Sequence, residues 1–577
     1  MENDIYAKAR ADLQAWRERQ PTNFFTENRQ LGRLTRRFLG EDGWARHRAH
    51  LERFGAVAAG PLDAAAIENN RAGNEPKLDR WSPIGERLEA IAHHPSFQAC
   101  GRHIYEDGEV IAAYGGDAPH ARALALFFLS SHAGEAGHNC PVACTAGIVK
   151  ALAAEGSEEL KARYMPGLLT NRFEERLDGA QFLTEIQGGS DVGANGTRAE
   201  PDGEALGTTR WRIHGEKWFC SNADADLILM TARWGGPGTS GLGLFLVPRL
   251  LEDGSVNAFT IRRLKEKLGT RSMASGEIDF HGAVAYAVGP VERGFKTVIT
   301  QVIHTSRLYN TMATGANAQR AYFVAKAYAE TREAFGKVIG DFPLVAEMIA
   351  SLRGVTGAIT AAGMTLARGL DRLEAGGLDE AEHAWLRVAT NLAKMRSSQH
   401  SHRAVLTAIE TLGGNGAIET FSVLPRLLRD NVVCENWEGT HNTLVAQTLR
   451  DFGRLRLHEG FLAVLRRDLL TGVASVDAAT APARAAVEHV ADALHAVLAE
   501  KDPDVATFML RPHAERLADA MFASAWAQDV AREEDAARRD AEAEALGWFV
   551  DQHVAATPPT RDGSQAARAA RVAALPA

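Results

Sequence analysis

Trp211-Arg-Ile-His-Gly-Glu-Lys-Trp-Phe219, Leu227-Ile-Leu-Met-Thr-Ala-Arg233, Leu242-Gly-Leu-Phe-Leu-Val-Pro248 and Ile278-Asp-Phe-His281 are short runs rich in aliphatic and aromatic residues. They fit strands, because such side chains pack well on a pleated surface. Gly215, Gly241, Gly254 and Gly276 fall where turns between them are expected. This β-like text runs from Gln181 to about Val288, and the text on both sides of it is helical.

Upstream, residues 1 to about 75 mix Arg/Glu-rich helical patches with turn signals, and Asn69, Asn70, Gly73, Asn74 and Pro76 mark a break. From about 80 to 178 the chain reads as helices, with apolar stretches at Ala121–Leu129 and Thr145–Ala153. Gly156 and Ser157 interrupt before a charged helix at Glu158–Tyr164. After Gly294 helices resume to about 455, where Trp385, Val388, Leu392 and Met395 recur at helical spacing and predict a core stripe. The last segment is Ala-rich and charged, and Pro558, Pro559 and the small residues beyond predict a frayed tail. The reading is an α+β, mostly helical chain: an N-terminal helical domain over 1–178, a middle β-barrel-like domain over 179–290, a C-terminal helical bundle over 291–455 and extra helices over 456–577.

A chain of 577 residues exceeds what one core supports, so several domains are expected. Its 45% hydrophobic and 24% charged residues are ordinary for a globular protein, and a net charge of −9 provides no overall positive field for nucleic acid. The charged stretch from Met1 to Gln20 lacks a signal-peptide core, and no uncharged apolar run reaches the ~20 residues of a membrane span. A cytoplasmic protein without a membrane partner is expected. Cys100, Cys140, Cys144, Cys220 and Cys434 are too few and scattered for a disulfide framework. Cys140 and Cys144 share a helical spacing near His138, but further ligands are missing, so buried thiols and no metal are expected.

Three segments carry candidate chemistry. Thr184-Glu-Ile-Gln-Gly-Gly-Ser-Asp191 offers glycines that admit a flat ligand and hydroxyls that bind it, yet alone it reads as a turn. Gly215-Glu-Lys-Trp-Phe-Cys-Ser-Asn222 places a ring and a hydroxyl two positions apart, on one strand face. Leu412-Gly-Gly-Asn-Gly416, Leu428-Arg-Asp-Asn431 and Trp437-Glu-Gly-Thr-His-Asn442 form the third, in which Glu438 lies between a bulky ring and a glycine. By itself that pattern leaves two alternatives open, a buried base with a raised pKa or an exposed loop acid.

In this order the three segments resemble the acyl-CoA dehydrogenase family over roughly residues 80–455. The nearest likeness is to the alkylation-response (AidB-type) branch, through Asn139-Cys-Pro-Val142, Thr184–Val192, Lys217-Trp-Phe-Cys-Ser221, Arg263-Leu-Lys-Glu-Lys-Leu-Gly-Thr-Arg-Ser272 and Trp437-Glu-Gly-Thr440. The resemblance implies FAD bound between the β domain and the C-terminal helices. Thr184, Gly189 and Ser190 match the flavin loop; Phe219 and Ser221 stand where many members carry Trp and Thr. Arg332-Glu-Ala-Phe-Gly336 is similar to a signature whose arginine pairs with the FAD diphosphate of a neighbouring subunit, which implies Arg332 and Phe335 as FAD contacts and a homo-oligomer, usually a tetramer. An arginine fork suits a diphosphate. Gly413 and Gly414 match the adenosine-side loop, and Trp437, Thr440 and Asn442 match positions at the flavin or its ribityl-diphosphate arm.

Glu438 matches the family's base, and Ser190, Arg307 and Gly439 match substrate-side positions. Members with the base elsewhere carry it just before the arginine matched by Arg307, where this chain reads His304-Thr-Ser-Arg307 without an acid. His304 replaces a common aspartate near the pantetheine arm, which leaves the acyl donor open. The implied reaction is FAD-dependent dehydrogenation of an acyl-CoA to the 2,3-enoyl-CoA, with Glu438 taking the α-proton, the β-hydride passing to flavin N5, and electrons leaving to an electron-transfer flavoprotein. The implied class is an oxidoreductase of fatty acid metabolism. One alternative is an alkylation-response flavoprotein that associates with DNA and has little dehydrogenase activity. Residues 451–577 hold 14 Arg plus Lys against 20 Asp plus Glu, a net of −6, so DNA is not an expected partner. Another is an oxidase or monooxygenase on the same fold; such monooxygenases usually lack the glutamate.

Overall fold

A computed structural model describes residues 5–116, 118–557 and 559–577. Met1 and Pro558, used in the readings above, lie outside the described residues. The chain forms two compact units, one of Pro61–Pro119 and Glu135–Tyr309, the other of Met1–Gly60, His120–Gly134 and Asn310–Ala577.

The first unit holds β1 (Lys77–Trp81), β2 (Arg87–Ala92), β3 (Gly179–Phe182), β4 (Arg198–Ala205), β5 (Thr208–Ser221), β6 (Leu227–Arg233), β7 (Leu242–Pro248), β8 (Phe259–Leu264) and β9 (Ser275–Ala287). β6 pairs with β4 and with β7, and the ladders β4–β5, β5–β9 and β9–β7 complete a ring. β3 adds to β6 in parallel, and β8 adds to β9. The sheet therefore closes on itself as a small barrel, which removes most free edges.

Side-chain alternation explains the sequence of β6. Ile228, Met230 and Ala232 enter one core with Trp211, Ile213, Phe245 and Phe280. Leu227 and Leu229 enter a second core with Leu244 and Leu246. Ile148 and Leu152 from helix Ala136–Glu155, and Leu160 from helix Glu158–Leu168, complete it. A strand buried on both faces needs an unbroken apolar run, and each large side chain so buried contributes about 1.5–3 kcal/mol.

The structure departs from the sequence reading in specific places. β1 and β2 form an antiparallel hairpin inside the stretch read as helical; Lys77, Asp79, Arg80, Arg87 and Glu89 give it no apolar run to detect. Gly215 and Gly276 lie within strands instead of turns. Gly215 has φ +135°, and a Cβ there would meet Thr197 Cα at 2.8 Å; one at Gly276 would meet Ala223 Cβ at 3.2 Å. Both glycines admit close approach of neighbouring chain.

The second unit is helical apart from β10 (Glu333–Ala334) and β11 (Lys337–Val338), a two-residue hairpin with Phe335 and Gly336 at positive φ. Helices Pro343–Glu374 and Glu380–Leu412 pack together, and Pro503–Val530, Ala536–His553 and Gly563–Ala574 pack on the first of them. The segments 1–60 and 456–577 share one unit with 120–134 and 310–455. Buried charges tie the extension in: Arg353 donates to Glu542 at 2.6 Å and to Pro576 O at 2.9 Å, and Asp519 accepts from Arg396 and His400.

The tail is docked instead of frayed. Asp562 caps helix Gly563–Ala574, Lys326 Nζ donates to Ala573 O at 2.6 Å, and Tyr322 donates to Leu575 O at 2.9 Å. Helix Pro343–Glu374 is long and apolar enough to cross a membrane, but 72% of its most apolar window is buried within the protein. It is a core helix. None of the five cysteines forms a disulfide, and no metal-binding group of His, Cys, Asp or Glu occurs among the described residues.

Candidate active site

Helix Leu424–Asn436 ends at Trp437, and helix His441–Leu455 begins after Thr440. The link reverses direction through Glu438 at φ +56° and Gly439 at φ +100°. A non-glycine residue in the left-handed region costs about 1–2 kcal/mol and persists only where its surroundings hold it. Lys394, fully buried on helix Glu380–Leu412, supplies that hold by donating to Glu435 O at 3.0 Å and Gly439 O at 2.8 Å, one on each side of Glu438. Trp437 Nε1 donates to Asn310 Oδ1, and Asn310 Nδ2 donates to Ser398 Oγ at 3.1 Å. Glu438 itself is half-buried.

Glu435, one turn earlier, is a poor rival base. Burial raises its pKa, but His402 at 2.9 Å and His441 at 3.3 Å outweigh that and hold it down at about 2. A carboxylate so stabilised has little drive to take a proton.

Other sequence-selected residues of this unit surround open backbone. Gly413 (φ +60°) and Gly414 follow helix Glu380–Leu412, and no atom lies within 4 Å of a Cβ built on either. Asn415 donates to Tyr328 Oη at 3.2 Å, bringing this loop to the helix that leads into Arg332. Arg332 is partly exposed, 3.8 Å from Asp12, and Phe335 at the hairpin tip is 97% exposed. Thr440 Oγ1 lies 3.0 Å from Thr443 Oγ1. Asn442 Oδ1 accepts from Arg511 at 2.7 Å, which ties the extension to the turn.

In the other unit, Thr184, Gly189 and Ser190 lie on one loop after β3. A Cβ at Gly189 would meet Thr184 Oγ1 at 2.6 Å, so the glycine leaves room for the hydroxyl. Glu185 is buried beneath this loop and accepts from Lys217 Nζ at 2.8 Å, Gly196 N at 2.6 Å and Thr197 N at 3.2 Å. Lys217 also donates to Leu183 O, and Trp218 N donates to Thr184 O. The loop is therefore fixed to the part of β5 that carries Phe219 and Ser221. A β-bulge interrupts β5 between Lys217 and Cys220; Phe219 is 41% exposed, and Lys265 Nζ lies 3.7 Å from the Trp218 ring centre. Arg307 is buried at the start of helix His304–Thr331.

Three family descriptions match the chain: adaptive response protein AidB N-terminal domain over 16–175, acyl-CoA dehydrogenase middle domain over 180–283, and acyl-CoA dehydrogenase C-terminal domain over 292–452. AidB of Escherichia coli (strain K12) is 32% identical over 422 residues, 70% of this chain and 75% of its own. The chain belongs to the acyl-CoA dehydrogenase family. Among solved structures of this family, Caenorhabditis elegans ACDH-11 in complex with C11-CoA is similar with a TM-score of 0.82 and 26% identity, covering 93% of each chain. A Bacillus anthracis acyl-CoA dehydrogenase complexed with FAD shares the fold at a TM-score of 0.65 and 18% identity.

Sequence reasoning did not single out Lys394, Asn310, Glu185 or Lys217. The last two stand inside quoted motifs, where an acid and a lysine amid apolar strand text are the visible signal of a buried pair. Lys394 and Asn310 are distant in sequence from the turn they hold, and no spacing exposes them.

Proposed function

We propose that the protein is an FAD-dependent acyl-CoA dehydrogenase in which Glu438 removes the α-proton of an acyl-CoA thioester to give the 2,3-enoyl-CoA. The observation that carries this reading is the Glu438 turn, held in a strained conformation by Lys394 and by the Trp437–Asn310 hydrogen bond. Strain that a protein maintains at an acid favours a functional reading. FAD, when bound, supplies the acceptor for the hydride that leaves the β-carbon. Open backbone at Gly413 and Gly414, and the room Gly189 leaves for Thr184, fit such a group; Ser190, Phe219, Ser221, Trp437 and Thr440 would hold its flavin end, and Arg332 and Phe335 would hold the diphosphate of a neighbouring subunit's FAD. Asn442, oriented by Arg511, would lie at the flavin or its ribityl-diphosphate arm.

Glu438 accepts the α-proton, and its backbone N–H donates to the thioester carbonyl as negative charge develops there. Gly439, Ser190 and Arg307 serve the substrate side. Trp437, fixed through its indole N–H, limits water at the carboxylate. The reading includes a homotetramer in the cytoplasm that passes electrons to an electron-transfer flavoprotein, within fatty acid metabolism. It is tested by purifying the protein, measuring its flavin, and adding acyl-CoAs of graded chain length. A yellow protein bleached by at least one of them is expected; a colourless protein that takes up no added FAD refutes the reading.

A DNA-associated role, as an alkylation-response flavoprotein with little dehydrogenase activity, is the second reading, favoured by the match of residues 16–175. The net of −6 over residues 451–577 weighs against it, because affinity for a duplex rests on clustered cations. Gel-shift of a nonspecific duplex at physiological salt is expected to show no complex; tight, salt-sensitive binding overturns that expectation.

A further inference from the structure

A cavity of about 660 Å³ lies in the helical unit, and it shares no residue with the Glu438 turn or the glycine loop. Arg37, Arg368, Arg372, Arg467 and Arg532 line it, with Glu382 and Asp468 as its acids. Arg372 pairs with Glu382 at 2.7 Å and Arg467 with Asp468 at 2.8 Å, which neutralises both acids. Arg37, Arg368 and Arg532 make no ion pair among the described residues. Among the described residues Arg37 and Arg532 each donate hydrogen bonds to Gln528, through its backbone carbonyl and, for Arg532, also through its side chain, and Arg37 lies 5.1 Å from the Phe38 ring centre. Three arginines without a close ion pair therefore face a concave space, where Asp529 and Asp468 act on Arg37, and Asp371 on Arg368, only at longer range. Burial, and next the like charge of Arg532, hold the Arg37 pKa below the usual arginine value.

A second, independent observation points the same way. Trp385, 7% exposed, lines the cavity, and its buried indole N–H finds no acceptor among the described residues. A buried donor without a partner costs free energy unless an acceptor arrives. The three arginines and the Trp385 indole are thus donors, and a ligand that complements them carries acceptors and negative charge. Guanidinium forks match phosphate oxygens in pairs. The volume falls within the ~300–1,000 Å³ typical of small-ligand sites.

We propose that this cavity binds a small anion bearing a phosphate or diphosphate group, held by Arg37, Arg368, Arg532 and the Trp385 indole N–H. The N-terminal helix that carries Arg37 and the C-terminal extension that carries Arg532 build this site together with the family's helices. The donor set fits free pyrophosphate, the diphosphate of a nucleotide and the phosphates of coenzyme A alike.

Titration calorimetry of the full-length protein at 0.15 M salt, with inorganic pyrophosphate, ADP and coenzyme A as separate probes, tests the site. One saturable site for at least one probe is expected. Arg368→Gln is expected to weaken it about tenfold to a hundredfold, the loss of a charged hydrogen bond. Trp385→Phe keeps the ring and removes the donor; it is expected to weaken binding about threefold to tenfold. Arg368→Lys, which keeps the charge, serves as the fold control and is expected to lose less than Arg368→Gln. The ranking of the three probes identifies the source of the phosphate. The proposal is overturned if no probe binds below about 1 mM, a value equivalent to a negligible −4 kcal/mol. It is also overturned if binding survives both Arg368→Gln and Trp385→Phe unchanged, or if only duplex DNA binds and Arg368→Gln abolishes that complex.

Discussion

Lys217→Met removes one partner of the buried pair beneath the Thr184–Ser190 loop. Glu185 is pulled from 4.5 down to about 2: burial raises it, and the Lys217 ammonium, with N–H donors from Thr197 and Gln187, more than offsets this. That drop corresponds to ~3 kcal/mol at 1.36 kcal/mol per pH unit, and breaking a buried pair typically costs about 3–5 kcal/mol. Lys217 is itself pulled down, because burial disfavours its ammonium more than Glu185 favours it. The stabilisation therefore resides on the carboxylate side. The folded pKa lies below the unfolded value, so the stabilisation is present above about pH 4.5 and is lost as pH falls toward 2. Gly196 N and Thr197 N donate to this carboxylate, so their amide hydrogen exchange reports its loosening. In Lys217→Met, exchange at these amides should accelerate about 150-fold at pH 7, the equivalent of ~3 kcal/mol of local opening. The double variant Glu185→Gln/Lys217→Met should recover most of that loss, since no unpaired charge remains. Acceleration of less than about fivefold in the single variant, or no recovery in the double, refutes the assignment of the pair as the loop's anchor.

Arg332→Ala should lower flavin retention and shift the assembly to smaller species on size-exclusion chromatography, with a loss of ~1.5–3 kcal/mol for one charged hydrogen bond; unchanged flavin content argues against the contact. Glu435→Gln should leave acyl-CoA-dependent flavin reduction within about threefold of wild type, because His402 and His441 already hold that carboxylate ionised; a hundredfold loss in stopped-flow bleaching would transfer the base to Glu435.

Much of the fold is legible in local text. β6 and β7 are apolar runs because both of their faces are buried, and Ser157 marks a helix start because its hydroxyl accepts from Leu160 N. The β1–β2 hairpin is not legible, since its charged Glu89 is buried while its apolar Trp81 and Leu88 are exposed, the reverse of the alternation a strand is read from. Gly215 and Gly276 mislead for a related reason. A glycine demanded by the close approach of Thr197 or Ala223 looks the same in sequence as a glycine demanded by a turn. At the candidate site, ring, acid and glycine are adjacent in Trp437-Glu-Gly439 and readable. What bends the chain there, Lys394 donating to carbonyls on both sides of Glu438, is a contact across some 40 residues that only folding brings about. Trp385 reads as a core residue and is one, yet its indole N–H gives it a second role at the arginine-lined cavity that a hydrophobic stripe does not reveal.

Glu438→Gln tests the central claim most directly. The amide is nearly the same size as the carboxylate, so the turn held by Lys394 and Asn310 should survive with its flavin. It has no basic oxygen for the α-proton, and losing general-base help alone is worth ~10²–10⁴-fold. Stopped-flow flavin bleaching on wild type and variant, with an acyl-CoA that reduces the wild type, is the measurement. The account expects a variant that retains flavin and loses at least a hundredfold in the reduction rate. A variant that reduces its flavin within about threefold of the wild-type rate would contradict it.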